Sequence, residues 1–364
     1  MQHNSILKSD KNFLFIYLPL KITIVFSLFI FLEISNLRFE FLNYPDFNRY
    51  SDCFKTFDNF LFGISACVMN IKDTSSLLPI VITFMATIMR DFLYIKICSK
   101  LMLNDRITIL FSVLLALHPY LAIYSLKFTT DLFGSLGVLL IFYQIAYNKN
   151  NHLLFVLALI LIFFRNNLVL VFSLYYIIQL LISYFISSRA DIKKYLIYLF
   201  LIFCCWLSLT SSIYLESNHS GFIFDDKWPF SLPNHLAFFG FESTLFTNIF
   251  GLFSLFISHL ILLTGFRESV FLYGFSYLFT NGIIFGISQL IVSLVLSIIH
   301  IIGSIYFFYF NRNKKYLVIL IYVIPTFIAL SHLRYFYPII PIALLGFSIL
   351  IDNIITRLEN YKSK

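Results

Sequence analysis

Long uninterrupted apolar runs constrain the fold of this chain more than any other feature. Examples are Leu153–Phe164, Tyr195–Ile213 and Leu290–Phe310. A strand of a membrane β-barrel alternates apolar and polar residues, and these runs do not alternate. A helix in lipid satisfies its backbone polar groups within its own segment, so a continuous apolar run suits it. The sequence therefore predicts an all-α fold with helices in contact with lipid.

The composition excludes most other classes of protein. Of the 364 residues, 60% are hydrophobic and only 12% are charged, whereas globular proteins carry roughly 25% charged residues. So few charges could not cover the apolar surface of this chain in water, which excludes a soluble enzyme, a disordered scaffold and a collagen-like fibre. We predict a polytopic integral membrane protein in which residues 1–364 form a single membrane domain.

About 12 transmembrane helices are predicted when the sequence is divided at charges, prolines and polar clusters. Because several runs are shorter than the roughly 20 residues of a straight span, the expected range is 10–12. The first run follows Lys8 and Lys11 and has no small-residue cleavage site behind it, which is typical of a retained signal anchor. The predicted spans are 13–32, 76–89, 107–123, 132–147, 152–164, 168–186, 195–213, 245–263, 269–286, 290–310, 316–330 and 336–351.

The distribution of lysine and arginine sets the predicted orientation. On this map 17 of the 26 lie on one side and 8 on the other, while Lys21 lies inside the first span. Cytoplasmic loops carry the excess of basic residues, so both termini are predicted to be cytoplasmic. The net charge of +8 follows from this asymmetry, and no nucleic acid partner is expected. Two longer loops, 33–75 and 214–243, fall on the outer face, and the first contains an apolar pattern typical of an interfacial helix.

Ionisable residues converge on this predicted outer face. A charged side chain at membrane depth costs about 2.5–3.5 kcal/mol on insertion scales, so such residues are expected to line a polar cavity or to have partners. Each also has a plain structural explanation, because arginines near helix ends can snorkel and loop carboxylates can simply be solvated. The adjacent Asp225 and Asp226 suggest a weak metal site or a turn; otherwise we expect no metal and no cofactor. The candidate residues are Asp46, Arg49, Asp52, Asp131, Arg165, Asp225, Asp226, His235, His332 and Arg334.

Carboxylates and arginines on one face of a lipid-embedded protein suit group transfer from a lipid phosphate. Arginine can neutralise a phosphate leaving group through its planar fork of donors. A carboxylate can remove the proton from an attacking hydroxyl. The sequence has no glycine-rich phosphate-binding loop of either common kind, and a donor activated on a lipid requires none.

Three segments resemble the multi-spanning glycosyltransferases of the GT-C type: HPYLAIYSLKFTTD at 118–131, the FFRNN break at 163–167, and SHLRYFYPIIPIALLGFSIL at 331–350. The chain is also similar to the O-antigen or capsule repeat-unit polymerases in length, in Phe/Ile-rich composition and in its carboxylate-bearing early loop. Its second outer loop is short, however, whereas many GT-C enzymes add a soluble periplasmic domain.

The resemblance implies an enzyme of the bacterial inner membrane that transfers a sugar or oligosaccharide from a polyprenyl-phosphate-linked donor at the periplasmic face. Asp46 or Asp52 would activate the acceptor, and Arg334 would contact the donor phosphate. In a polymerase Arg165 would contact the second lipid-linked glycan. The remaining candidates, Arg49, Asp131, His235 and His332, are expected to bind substrate. Expected partners are lipid-linked glycans, membrane lipid and other membrane proteins of polysaccharide assembly.

Two further function classes stay open at this point. A transporter or flippase of lipid-linked glycans agrees with the span count, but transporters place ionisable residues near the bilayer midplane. In this map only Lys21 and Arg165 come close to that position. A protein that only scaffolds other enzymes is the third possibility. The sequence does not decide between a repeat-unit polymerase and a single-sugar transferase.

Overall fold

The computed structural model describes residues 11–35, 77–101, 104–126, 130–147, 151–162, 166–185, 189–213, 283–310 and 340–362. Within these ranges the chain is helical and contains no strand, which confirms the all-α prediction there. A π-helical turn, Phe13–Tyr17, continues directly into the first α-helix. The α-helices are α1 Leu18–Ile34, α2 Leu78–Leu101, α3 Asp105–Leu117, α4 Pro119–Ile123, α5 Thr130–Ala146, α6 His152–Ile162, α7 Asn166–Phe185, α8 Arg189–Ile213, α9 Ile283–Phe310 and α10 Ile340–Lys362.

The chain divides into two compact units. The first unit comprises residues 1–212 and 344–364, and the second comprises residues 213–343. The helices α1 to α7, most of α8 and most of α10 belong to the first unit, whereas α9 belongs to the second.

Most helix bounds follow the apolar runs, but α2 is much longer than its predicted span. It continues to Leu101, although the run was expected to end at residue 89. Arg90 and Asp91 lie inside the helix and form an ion pair with each other. The helix therefore continues through two charged residues at which the sequence had been divided.

The predicted span 107–123 is divided into two helices at His118. Pro119 follows, and a proline disfavours helical backbone at the residue before it. His118 is accordingly extended, with φ −63° and ψ 118°. Its Nδ1 accepts a hydrogen bond of 3.4 Å from the backbone N–H of Leu121, so the imidazole caps α4. The side chain is only 3% exposed.

At one end of the first unit, polar contacts join α2 to α5 and α3 to α10. The Tyr147 hydroxyl donates a hydrogen bond of 2.9 Å to the carbonyl of Lys96. The Asn104 amide donates one of 2.8 Å to Asp352, and Arg106 lies 3.2 Å from Glu359. We refer to this end as the Lys96 end. The predicted cytoplasmic segments 90–106, 148–151 and 352–364 have described residues here.

At the other end of α2, an apolar cluster joins this helix to α1 and to the segment that follows α4. Val25 and Leu32 of α1 pack with Ile80 of α2 and with Leu126, which follows α4. The start of α2 therefore lies beside the end of α1, and the two helices run in opposite directions. Such alternation is what short connections between neighbouring helices produce.

The helices α5 and α6 pack closely at Gly137. A Cβ atom at this position would lie 2.6 Å from the carbonyl oxygen of Ala158 and 2.8 Å from Cγ1 of Ile162. Only a residue without a side chain allows this approach. Small residues with this role are characteristic of helix interfaces in membranes.

Two of the described helices are long and apolar enough to cross a membrane, Phe13–Ile34 and Ile340–Tyr361. Shorter apolar helices are Leu132–Gln144, His152–Ile162, Tyr175–Phe185 and Leu294–Phe310. The predicted spans 245–263 and 316–330, the outer loop 214–243 and all but the first three residues of the outer loop 33–75 fall outside the described residues. The number of spans therefore stays a prediction.

Candidate functional site

Of the residues predicted to form the site, only Asp131 falls within the described ranges. It is the second residue of α5, near the end of the first unit opposite Lys96. The others lie outside the described residues: Asp46, Arg49, Asp52, Arg165, Asp225, Asp226, His235, His332 and Arg334. The described part of α6 ends at Ile162 and that of α7 begins at Asn166, so the interruption expected at Arg165 stays a prediction.

The described residues contain a different charged cluster, buried between α1 and α2. Along α2, four polar side chains are completely enclosed: Thr83, Thr87, Arg90 and Asp91. They lie at helical spacing on one face. The apolar residues Val81, Met85 and Met89 lie on the other face and are exposed. The buried side of α2 thus combines these polar side chains with apolar ones such as Ile95, whereas the exposed side is apolar.

Asp91 is the centre of this cluster. Its Oδ1 accepts hydrogen bonds from Arg90 Nε at 2.8 Å and from Arg90 Nη2 at 2.6 Å. Its Oδ2 accepts a hydrogen bond of 2.5 Å from the Tyr17 hydroxyl. Both carboxylate oxygens are therefore occupied, and the bonds join the end of the π-helical turn before α1 to the middle of α2.

Lys21 brings a second cation to the cluster. It lies one helical turn after Tyr17, is completely enclosed, and has electrostatic interactions with Asp91 and Arg90. Among the described residues, no atom accepts a hydrogen bond from Lys21 Nζ. A buried ammonium without such a partner is costly. In their usual ionised forms, two cations face one carboxylate here, and the cluster has a net positive charge.

The local backbone explains how α1 presents these groups. At the π-helical turn the N–H of Leu18 bonds to the carbonyl of Phe13, and Pro19 then has no N–H to donate. Tyr17, Lys21 and Val25 follow at intervals of four residues and are buried, so they form one narrow inner stripe. Isolated π-helical turns occur frequently at functional sites.

Sequence reasoning placed Arg90 and Asp91 at the start of an inner loop and did not include them in the site. The signal that identifies them is the spacing of polar residues at i, i+4, i+7 and i+8 within an apolar segment. That pattern puts Thr83, Thr87, Arg90 and Asp91 on one helix face. Dividing the sequence at every charge removes this pattern before it can be recognised.

The second unit contains another helix with a polar inner face. On α9, His300 is completely enclosed and Ser297 is buried, while Ile298, Ile302 and Ile305 are exposed. In a water-soluble helix the apolar face would be the buried one. On α9, as on α1 and α2, the buried side combines polar side chains with apolar ones such as Phe307, while large apolar side chains are exposed.

Among the described residues, no group of three or more His, Cys, Asp or Glu side chains could hold a metal ion. The buried cluster around Asp91 can hold charged groups inside a helical bundle. Ionisable groups in such positions serve ion and proton pathways or substrate sites in membrane proteins. No protein-family model, curated protein or solved structure matches this chain.

Proposed function

We propose that the chain is a multi-pass protein of a bacterial inner membrane. The observation that carries this proposal is that α1, α2 and α9 expose large apolar side chains while their buried sides include the ionisable residues Lys21, Arg90, Asp91 and His300. Lipid tails are a suitable solvent for the exposed faces, whereas water is not. The opposite directions of α1 and α2 in the first unit agree with the proposed crossings.

Within that membrane location, the proposed function is a glycosyltransferase of surface polysaccharide. It would transfer a sugar or oligosaccharide from a polyprenyl-phosphate-linked donor at the periplasmic face, as a repeat-unit polymerase or a GT-C-type transferase. This proposal is supported by the carboxylates and arginines in the predicted outer segments. Asp46 or Asp52 would accept the proton of the attacking hydroxyl, and Arg165 and Arg334 would neutralise phosphate groups.

Replacing Asp46, Asp52 or Arg334 by alanine, one at a time, tests this assignment. We expect at least one variant to reduce surface glycan by about 100-fold or more, because a positioned base typically contributes 10²–10⁴ in rate. Lipopolysaccharide on a gel is the measurement. A polymerase defect would leave single repeat units, whereas a defect in a single-sugar transferase would alter the unit itself.

Asp73→Ala is the matched control, since Asp73 is another carboxylate of the same predicted outer loop. It should leave the glycan pattern unchanged at equal protein levels in the membrane. If all three test variants also produce normal glycan, the catalytic assignment is wrong.

A transporter or flippase of lipid-linked glycans is the second candidate. The buried cluster favours it, because Lys21, Arg90 and Asp91 are the intramembrane ionisable residues that such a protein requires. The two candidates differ in their sensitive residues. Lys21→Met should abolish surface glycan if the protein is a transporter of this kind, whereas the enzyme should depend on the outer carboxylates.

A further inference from the structure

We infer that the lysines at the Lys96 end of the first unit form a binding surface for the headgroups of anionic membrane lipids. The inference rests on the proposed membrane location and is independent of the reaction proposed for the outer face. It assigns a second class of lipid partner to the opposite end of the molecule.

Three lysines at this end each lie over an aromatic ring. Lys96 Nζ is 4.9 Å from the centroid of the Phe92 ring, and Lys100 Nζ is 5.8 Å from that of Tyr147. Lys194 Nζ lies over the two rings of Tyr195 and Tyr198, at 5.3 Å and 5.9 Å. A ring in this position attracts the ammonium and holds the flexible side chain in place.

Contacts between the helices show that these lysines share one end. The hydrogen bond from Tyr147 to the carbonyl of Lys96 joins the ends of α2 and α5. Gln144 then donates a hydrogen bond of 2.7 Å to the carbonyl of Asn151, just before α6. The His152 ring lies 5.8 Å from that of Tyr198 in α8. The chain of contacts therefore runs from Lys96 to the rings beneath Lys194.

The rings under Lys194 belong to a packed aromatic core, so this lysine is on a rigid support. Tyr198 stacks on Phe155 with ring centroids 3.8 Å apart, and Tyr176 contacts Tyr198 edge to face at 5.4 Å. Phe155 is completely enclosed. A lysine held on such a support loses less conformational entropy when it binds a ligand.

The chemistry of the surface matches an anionic headgroup bound at the edge of the hydrocarbon region. Lys96, Lys100 and Lys194 are each partly exposed. The apolar residues Leu196 and Phe200, which follow Lys194 on α8, are exposed and suit contact with acyl chains. Aromatic rings and lysines are the side chains that membrane interfaces favour. In the first turns of α8, Arg189, Lys193 and Lys194 outnumber Asp191, so the attraction is for negative charge.

The test is a titration of the purified full-length chain, in neutral detergent, with phosphatidylglycerol or with phosphatidylcholine. We expect the chain to bind phosphatidylglycerol more tightly. A lysine near the membrane surface contributes about 1 kcal/mol, so Lys100→Gln and Lys194→Gln should each weaken this binding about fivefold. The double variant should weaken it roughly 25-fold if the two sites are independent.

Lys193→Gln is the matched control, because Lys193 is exposed and precedes Lys194 on the same helix. It should weaken the binding clearly less than Lys194→Gln does, because its exposed side chain is not held over an aromatic ring. Two results would overturn the inference. One is equal affinity of the unmodified chain for both lipids, and the other is an equal loss for the Lys193 and Lys100 variants. Membrane insertion would be intact in either case, so the proposed membrane location would stand.

Discussion

Asp91→Ala is expected to lower the free energy of unfolding by about 3–5 kcal/mol, because it removes the carboxylate of a buried ion pair. Arg90 and Lys21 would then be enclosed without the carboxylate that faces both of them. The Tyr17 hydroxyl would also lose its acceptor. The measurement is denaturant or SDS-induced unfolding of the purified chain in detergent micelles.

Two further variants separate this effect from a general loss of charge. Glu359→Ala removes a carboxylate that is 57% exposed and lies 3.2 Å from Arg106, and an exposed pair of this kind is worth at most about 1 kcal/mol. Lys21→Met removes the surplus buried cation and should be neutral or stabilising. In the Asp91→Ala background it should recover part of the loss. An Asp91 variant that loses no more stability than the Glu359 variant would contradict this description of the cluster.

Gly137→Val is expected to cost about 3 kcal/mol, the upper part of the range for overpacked cores. The added side chain would meet the Ala158 carbonyl oxygen at 2.6 Å and the Ile162 backbone nitrogen at 3.0 Å. Backbone atoms cannot move aside as a flexible side chain can, so α5 and α6 would have to separate. Unfolding of the purified chain in micelles measures this loss as well.

The size of the residue provides the control for this second prediction. Gly137→Ala should cost less than Gly137→Val. Its side chain is smaller, and alanine favours a helix by about 1 kcal/mol relative to glycine, which offsets part of the clash. Leu157→Val on α6 alters a side chain that is 39% exposed and should change stability by less than about 0.5 kcal/mol. If the loss does not increase from alanine to valine, close packing at Gly137 does not hold the two helices together.

The apolar runs predicted several helices within a few residues. The run 168–186 corresponds to α7, Asn166–Phe185, and the run 132–147 corresponds to α5, Thr130–Ala146. Such agreement is expected because a segment in lipid must bond its own backbone groups. Dividing the sequence at charges, prolines and polar clusters was sufficient for these two helices.

Hydropathy failed where polar residues are accommodated inside a helix. The predicted break between 286 and 290 lies within α9, Ile283–Phe310, because isolated Ser and Gln residues do not interrupt backbone hydrogen bonding. The length of α2 was missed for a related reason, since Arg90 is neutralised by its own neighbour. Pairing of this kind is a property of side-chain geometry and cannot be obtained from residue type alone.

The sequence map placed most residues of the buried cluster inside its first two spans but put Arg90 and Asp91 in an inner segment, and it selected none of the cluster for the site. Lys21 was expected within the first span, and the structure encloses it there. Its association with Tyr17 and Asp91 required the packing of α1 on α2, which joins residues 74 positions apart. A single sequence contains no direct signal for such a contact.

Cysteine accessibility in intact cells tests the multi-pass location most directly. A chain with one cysteine at a time would be treated with a membrane-impermeant maleimide before and after permeabilisation. Cys53 and Asn234→Cys should react in intact cells, whereas Asn150→Cys and Tyr361→Cys should react only after permeabilisation. Reaction of all four positions under the same condition, or release of the chain from the membrane by alkaline carbonate, would contradict the account.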